Sequence, residues 1–171
     1  SADRWVEAQD KAVRDPAKAA AWNSWCASLD DLKGKTLIEQ LSEVNARANA
    51  LIIYTPDPDQ YGDSDYWASG AESVYHKKGD CEDYAILKYE SLRYLGVSDE
   101  ACAVVLMDTK DAAGKPSGHA MVMVDASSER GYLCFYMLDV GEKINELSTL
   151  DRKEFQPTRV INRSTSHPYP G

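Results

Sequence analysis

The stretch GDCEDYAILKYESLRYLG, residues 79–96, contains the signals that begin and end one helix. Asp80 is of the type that caps a helix N-terminus, and Gly96 is of the type that stops a helix. Cys81 therefore falls in the first turn, where unpaired backbone N–H groups and the helix dipole favour the reactive thiolate. It shares a helical face with three apolar or aromatic positions: Ala85, Tyr89 and Leu92. We expect the thiol to point toward the rest of the fold.

The residues before this stretch are rich in helix formers. Within residues 5–29 the pair Asp15-Pro16 predicts a break between two helices, because proline suits the first turn of a helix. In residues 36–54 apolar side chains recur at three- and four-residue steps, which predicts the longest helix, with one buried face. Residues 55–66, TPDPDQYGDSDY, continue neither a helix nor a strand, so we expect a loop there.

Beyond Gly96 the chain changes to short segments rich in β-branched and aromatic residues, which predict strands. These segments are residues 101–107, 119–124, 132–138 and 158–162. Helices followed by an antiparallel sheet give an α+β fold, and no repeat or linker divides the chain. We therefore expect a single domain over residues 1–171, with a helical part at 1–96, a sheet part at 97–163 and a loosely held tail at 164–171.

The composition excludes several classes of protein. With 171 residues, of which 43% are hydrophobic, the chain can bury a sizeable core. A formal net charge of -9 repels phosphate groups and argues against nucleic acid as a ligand. No window approaches the roughly 20 consecutive apolar residues that a membrane span needs. Residues 1–4, SADR, lack the apolar stretch of a secretory signal, so we expect any such signal to have been removed.

Four cysteines are too few for a disulfide framework in a domain of this size. Cys102 and Cys134 fall on strands that flank the central strand, about two strand spacings apart, which is too far to bridge. We expect both to be reduced and buried, and Cys26, beside Trp22 on a helix face, to belong to the core. A buried structural thiol is the simpler interpretation of any single cysteine, so the role of Cys81 depends on its neighbours.

Two residues of the predicted sheet supply a base and an orienting group for Cys81. A turn centred on residues 127–130 pairs the strands on either side antiparallel and sets Asp139 opposite His119, with Cβ atoms about 5 Å apart. The carboxylate then accepts one imidazole N–H and leaves the other ring nitrogen for the thiol. Singly, each is more simply a stabilising group at a strand end. Together with Cys81 they have the logic of a nucleophile, a base and an orienting group.

The acidic loop indicates a cation. Residues 57–62, DPDQYG, resemble the beginning of an EF-hand, with oxygen donors at positions 1, 3 and 5 and glycine at position 6. Position 12, where an EF-hand has glutamate, is Ala68, so the motif is incomplete. Asp80, Glu82 and Asp83 are candidates for the missing carboxylates, and a cation that joined them to the loop would fix the beginning of the helix. The alternative is a solvated loop with Asp80 only capping the helix.

Four short motifs contain the residues discussed above: DYW at 65–67, GDCEDYA at 79–85, GHA at 118–120 and LD at 138–139. Together they resemble the bacterial transglutaminase-like cysteine proteinases, specifically the LapG family of periplasmic proteases. The resemblance covers about residues 22–163 and is most specific around Cys81. It implies a papain-like, transglutaminase-like fold, in which N-terminal helices and the nucleophile-bearing helix pack on an antiparallel sheet.

The resemblance also implies a function and a partner. Members of the family are calcium-dependent endopeptidases that release large biofilm adhesins from the outer membrane by cutting near their N-termini, typically at a di-alanine. The expected regulator is an inner-membrane LapD-like receptor, which sequesters the protease when it binds cyclic di-GMP. We therefore expect a periplasmic enzyme that promotes biofilm dispersal and does not insert into the membrane.

The resemblance assigns roles to individual residues. The catalytic triad is Cys81, His119 and Asp139. By analogy with related sites, Trp67 or Tyr66 helps to form the oxyanion pocket with the backbone N–H of Cys81, and Trp67 is our first candidate.

The resemblance implies that Asp80 and Glu82 bind calcium. Three donors from the loop join them: Asp57, Asp59 and the backbone carbonyl of Tyr61. Because the loop is free to differ in length from that of other members, Asp63 and Asp83 stay open as further ligands.

Two other functions are compatible with the same residues. A transglutaminase keeps the triad but passes the acyl group to an amine, and it differs only in water access and acceptor binding. A calcium-binding interaction module would keep a vestigial triad and would only be held by its membrane receptor. Incorporation of an amine, against simple cleavage, separates the first from a protease. Cleavage by the unmodified protein that Cys81→Ala loses counts against the second.

Overall fold

The computed structural model describes residues 2–56, 67–110, 112–141, 143–151, 153, 155–163 and 166–169. The predicted loop ligands Asp57, Asp59, Tyr61 and Asp63 lie outside these residues, as does Tyr66. Helices from the first half of the chain pack on one face of an antiparallel sheet from the second half, which confirms the α+β prediction. No helix in the described part of the chain is long and apolar enough to cross a membrane.

The helices are α1 (Ala2–Arg14), α2 (Pro16–Ser28), α3 (Leu37–Leu51), α4 (Gly70–His76), α5 (Cys81–Tyr94) and the single turn α6 (Ser127–Arg130). The predicted break falls at Asp15, whose side chain accepts two backbone N–H groups of α2. Thr36 and Glu39 form a capping box at the beginning of α3, the longest described helix. α3 ends at Leu51, before the predicted end at Tyr54, because the chain continues as a strand.

That strand, β1 (Ile53–Tyr54), pairs in parallel with β2 (Lys78–Gly79). The pair was not predicted, and it joins the end of α3 to the beginning of α5. A Cβ atom on Gly79 would lie 2.6 Å from the Cβ of Asp83, which is closer than real Cβ contacts allow. Glycine is therefore required at this approach to α5.

The main sheet contains β3 (Cys102–Lys110), β4 (Pro116–Asp125), β5 (Phe135–Leu138), β6 (Asn145–Glu146), β7 (Pro157–Ile161) and β8 (Ser166–Pro168). Its strand order is β6-β5-β4-β3-β7-β8, and all neighbours are antiparallel. The four predicted strands are confirmed, whereas β6 and β8 were missed. The prediction of a loosely held tail is wrong for residues 166–168, because β8 pairs with β7 at the edge of the sheet.

The predicted register between β4 and β5 is also wrong. The structure pairs Val122 with Leu138, and one further step along the strands sets Asp139 across from Met121 rather than across from His119. The connection is asymmetric: α6 occupies its first half, and Gly131, with φ of 78°, begins a longer return to β5. His119 and Asp139 are therefore diagonal neighbours, a relation that side chains can still bridge.

The two faces of the sheet bury separate clusters. Val104, Val122 and Val124 belong to the main core, which includes residues of α5 and the preceding helices. The opposite face holds a smaller cluster of Val105, Met107, Met121 and Met137. All four cysteines are free and buried, as expected for Cys26, Cys102 and Cys134.

Candidate active site

Cys81 is the first residue of α5, as predicted. Its side chain is buried, with 6% exposed, and the three positions on its helical face are buried too: Ala85, Tyr89 and Leu92. The backbone N–H of Ala120, on β4, interacts with the sulfur and favours its thiolate form. The thiol thus packs beside the residue that follows His119.

Asp83 organises the beginning of α5 from a fully buried position. Its Oδ2 accepts the backbone N–H of Asp80 at 3.2 Å, and its Oδ1 accepts that of Ala68 at 3.0 Å. These two bonds tie the residues after the acidic loop to the residue that precedes Cys81. Asp83 is thereby a structural brace, and its alternative role as a calcium ligand stays a prediction.

His119 and Asp139 form a direct pair, with 2.7 Å between His119 Nε2 and Asp139 Oδ1. The same Oδ1 accepts the backbone N–H of Val140 at 2.7 Å. An ionised carboxylate can only accept hydrogen bonds, so the hydrogen of the neutral imidazole lies on Nε2. This tautomer leaves Nδ1 as an acceptor, which is the arrangement that a general base for a thiol needs.

The pair lies at a boundary between protein and solvent, since the side chains of His119 and Asp139 are 25% and 26% exposed. The hydrogen bond to Asp139 is the main cause that raises the pKa of His119, and the charge of Glu82 acts in the same direction. Burial and the positive charge of Lys88 oppose the rise.

Glu82 contacts the candidate nucleophile directly. The thiol of Cys81 donates a hydrogen bond to Glu82 Oε2 at 3.1 Å. Burial is the main cause that raises the pKa of Cys81, and the negative charges of Glu82 and Asp80 add to the rise. The sequence-based expectation that the helix N-terminus favours a thiolate is therefore outweighed in this structure.

Asp80 and Glu82 stand on either side of Cys81 and are the two predicted calcium ligands that the structure describes. Carboxylate oxygens are the donors that calcium prefers, so these residues fit a hard cation. Within the described ranges no group of three His, Cys, Asp or Glu side chains gathers around one point. The remaining predicted ligands come from residues 57–66, so the complete site stays a prediction.

Two aromatic residues are relevant to this arrangement. Trp67 is buried in the core cluster that contains Cys81, and its role as an oxyanion donor stays a prediction. Tyr54, which was predicted at the end of a helix, is 55% exposed and lies near Cys81. Burial and then the nearby Cys81 raise its pKa. Only the pairing of β1 with β2 brings Tyr54 close to Cys81, and no local pattern in the sequence predicts that pairing.

Known proteins resemble this chain over most of its length. The model of the family described as "Bacterial transglutaminase-like cysteine proteinase BTLCP" matches residues 21–140, which include Cys81, His119 and Asp139. The structure of Legionella pneumophila LapG with calcium bound is 26% identical, with a TM-score of 0.69 over 95% of this chain and 86% of that chain. For the EGTA-treated LapG of the same organism, the identity is 26% and the TM-score is 0.71, over 96% and 85% of the two chains. A comparison with curated proteins found no match.

Proposed function

We propose that this protein hydrolyses peptide bonds through a triad of Cys81, His119 and Asp139. The chain belongs to the family of bacterial transglutaminase-like cysteine proteinases. The observation that carries this proposal is the 2.7 Å hydrogen bond between His119 Nε2 and Asp139 Oδ1. This hydrogen bond leaves Nδ1 of His119 for a thiol. The sulfur of Cys81 packs against the backbone of Ala120, the residue that follows His119. A nucleophile, a base and an orienting carboxylate are the requirements of a thiol hydrolase.

The first half of the reaction follows from these positions. Nδ1 of His119 takes the proton of the Cys81 thiol as the sulfur forms a bond to the carbonyl carbon of the substrate. Asp139 stabilises the imidazolium that results, because its Oδ1 already accepts the Nε2 hydrogen. The backbone N–H of Cys81 and the indole N–H of Trp67 are the proposed donors to the oxyanion.

The second half returns the enzyme to its starting state. The imidazolium gives its proton to the amide nitrogen, the carbon–nitrogen bond breaks, and an acyl group stays on Cys81. His119 then takes a proton from a water molecule, whose oxygen attacks the thioester. The carbon–sulfur bond breaks, the acid is released, and the imidazolium returns its proton to the sulfur of Cys81. The quarter exposure of His119 and Asp139 is consistent with access of water to this step.

Calcium is the proposed cofactor, and Asp80 and Glu82 would hold it together with Asp57, Asp59 and Tyr61. When bound, the cation supplies a structural restraint and takes no part in bond breaking. Its two described ligands flank Cys81 at the first turn of α5, so their positions set the position of the thiol. The calcium-bound and EGTA-treated forms of the Legionella LapG support this choice of cation.

The proposed substrate is the N-terminal region of a large surface adhesin, cut near a di-alanine in the periplasm, so that the adhesin is released and the biofilm disperses. The proposed regulator is a LapD-like receptor that sequesters the enzyme in response to cyclic di-GMP. Family membership and the similarity to LapG are the support for both.

The test is cleavage of an adhesin N-terminal fragment, followed on a gel with a fluorescent primary amine present. We expect cleavage by the unaltered protein and by Cys26→Ala, a buried cysteine on α2, and none by Cys81→Ala. EGTA should stop cleavage and added calcium should restore it. Cleavage by Cys81→Ala would contradict the mechanism, and incorporation of the amine in place of cleavage would identify a transferase.

A further inference from the structure

The backbone carbonyl of Asp139 is held by side chains from two different helices. Lys88, on α5, donates to it from Nζ at 2.8 Å, and Asn49, on α3, donates from Nδ2 at 3.1 Å. β5 ends at Leu138, so this carbonyl lies beyond the end of that strand. The residue whose carboxylate meets His119 is thus fixed through its main chain by the helical layer.

Lys88 is an unusual residue to find in this place. Its side chain is 1% exposed, and its ammonium group binds a carbonyl oxygen rather than a carboxylate. The Tyr84 ring, with its centroid 5.7 Å from Nζ, is a further partner. Burying an ammonium group costs several kcal/mol, and apolar side chains of similar volume often replace buried charges without loss of stability. The presence of a lysine here therefore points to a role other than packing.

We propose that Lys88, assisted by Asn49, is a positioning residue that orients Asp139 toward His119 and places a positive charge beside that pair. The inference rests on the proposed function, since it assigns these residues a part in the same triad. Lys88 lies two helical turns after Cys81 on α5, so one helix carries both the nucleophile and the group that binds the backbone carbonyl of Asp139.

The electrostatics agree in sign with this role. Burial lowers the pKa of Lys88 to about 7, and the negative charge of Asp139 opposes the fall. In its charged form Lys88 lowers the pKa of His119, whereas Asp139 and Glu82 raise it. Replacing Lys88 with a neutral residue should consequently leave His119 with a higher pKa.

The decisive measurement is the NMR titration of ¹³C-labelled histidine in the Cys81→Ala background, with the resonance of His119 assigned by its loss in His119→Gln. We expect Lys88→Met to raise the pKa of His119, because the opposing positive charge is removed. Lys143→Met, which removes an exposed lysine four residues after Asp139, should leave the titration unchanged. Lys88→Arg keeps a positive charge in this place and should not raise the pKa of His119.

Kinetics on the active protein test the positioning part. Lys88→Met should lower kcat about 10- to 100-fold with little change in KM, because neither Lys88 nor Asn49 is expected to contact substrate. If Lys88→Met does not fold, Asn49→Ser retains the lysine and should lower kcat in the same selective way.

A folded Lys88→Met protein with an unchanged His119 titration would overturn the proposal, as would unchanged kcat in Asn49→Ser. The unaltered protein could cleave no peptide while the His119 titration still responds to Lys88→Met and not to Lys143→Met. That result would support the coupling between Lys88 and His119 and would contradict the proposed function.

Discussion

Asp139→Asn is expected to be a mild substitution, although it removes the charge of the triad carboxylate. Oδ1 alone accepts both the His119 Nε2 hydrogen and the Val140 backbone N–H. An asparagine oxygen in the same place accepts both bonds, whereas the flipped amide would set its NH₂ group against the N–H of Val140. Val140 therefore selects the orientation that keeps hydrogen on Nε2 and leaves Nδ1 for the thiol.

What Asp139→Asn loses is the attraction between the carboxylate and the imidazolium that forms during catalysis. Two unit charges about 4 Å apart interact by about 4 kcal/mol at an effective dielectric constant near 20. Both side chains are about a quarter exposed, so screening by solvent leaves about 1 to 2 kcal/mol. We expect kcat/KM to fall about 10-fold. Asp139→Ala leaves both N–H groups without this acceptor and should lower kcat/KM about 1000-fold or more.

Initial rates of peptide cleavage over a range of substrate concentrations give kcat/KM for each variant. Asp125→Asn is the matched control, because Asp125 Oδ1 also accepts a nearby backbone N–H, that of Ser127, at the far end of β4. It should leave kcat/KM unchanged. Equal losses in Asp139→Asn and Asp139→Ala would refute the argument that Val140 fixes the amide orientation.

Three further predictions concern stability and substrate binding. Gly79→Ala should lower the free energy of unfolding in urea by about 1 to 3 kcal/mol, because its Cβ would lie 2.6 Å from the Cβ of Asp83. Burial raises the pKa of Glu90 to about 7, above its ordinary value of 4.5, so its contribution to stability is complete below pH 4.5 and is lost as pH rises through 7. Glu90→Gln should therefore make Tm fall less steeply between pH 4.5 and pH 7. An unchanged slope of Tm against pH would contradict this prediction. Tyr54→Ala should raise KM more than it lowers kcat in steady-state kinetics, whereas Tyr75→Ala, at a tyrosine of similar exposure on α4, should change neither.

Local signals were sufficient for the helices that begin with strong caps and for the central strands. Asp15, Thr36 and Asp80 each precede a helix, as their side-chain chemistry predicts. α4 was missed because its seven residues are too few to show a helical period. β1, β2, β6 and β8 are two or three residues long, and distant pairing partners rather than their own composition define them.

The candidate site shows the same division between local and distant information. Placement of Cys81 needed only the sequence around it, whereas the His119–Asp139 pair was predicted from a register that is wrong. The prediction survived because diagonal neighbours on a sheet remain within reach of each other. Lys88 was missed because a lysine in the middle of a helix resembles a solvent-exposed residue until the packing of the sheet against α5 is known.

The chain between Thr55 and Ala68 is anchored at both ends to the beginning of α5. Thr55 N–H donates to the carbonyl of Gly79 at 2.8 Å, and Ala68 N–H donates to Asp83 Oδ1 at 3.0 Å. Lengthening a loop whose ends are fixed adds little to its closure entropy, so insertions here should cost little stability. Under the proposed calcium assignment, a loop grafted from a relative should change the affinity for the cation and leave the position of Cys81 unchanged.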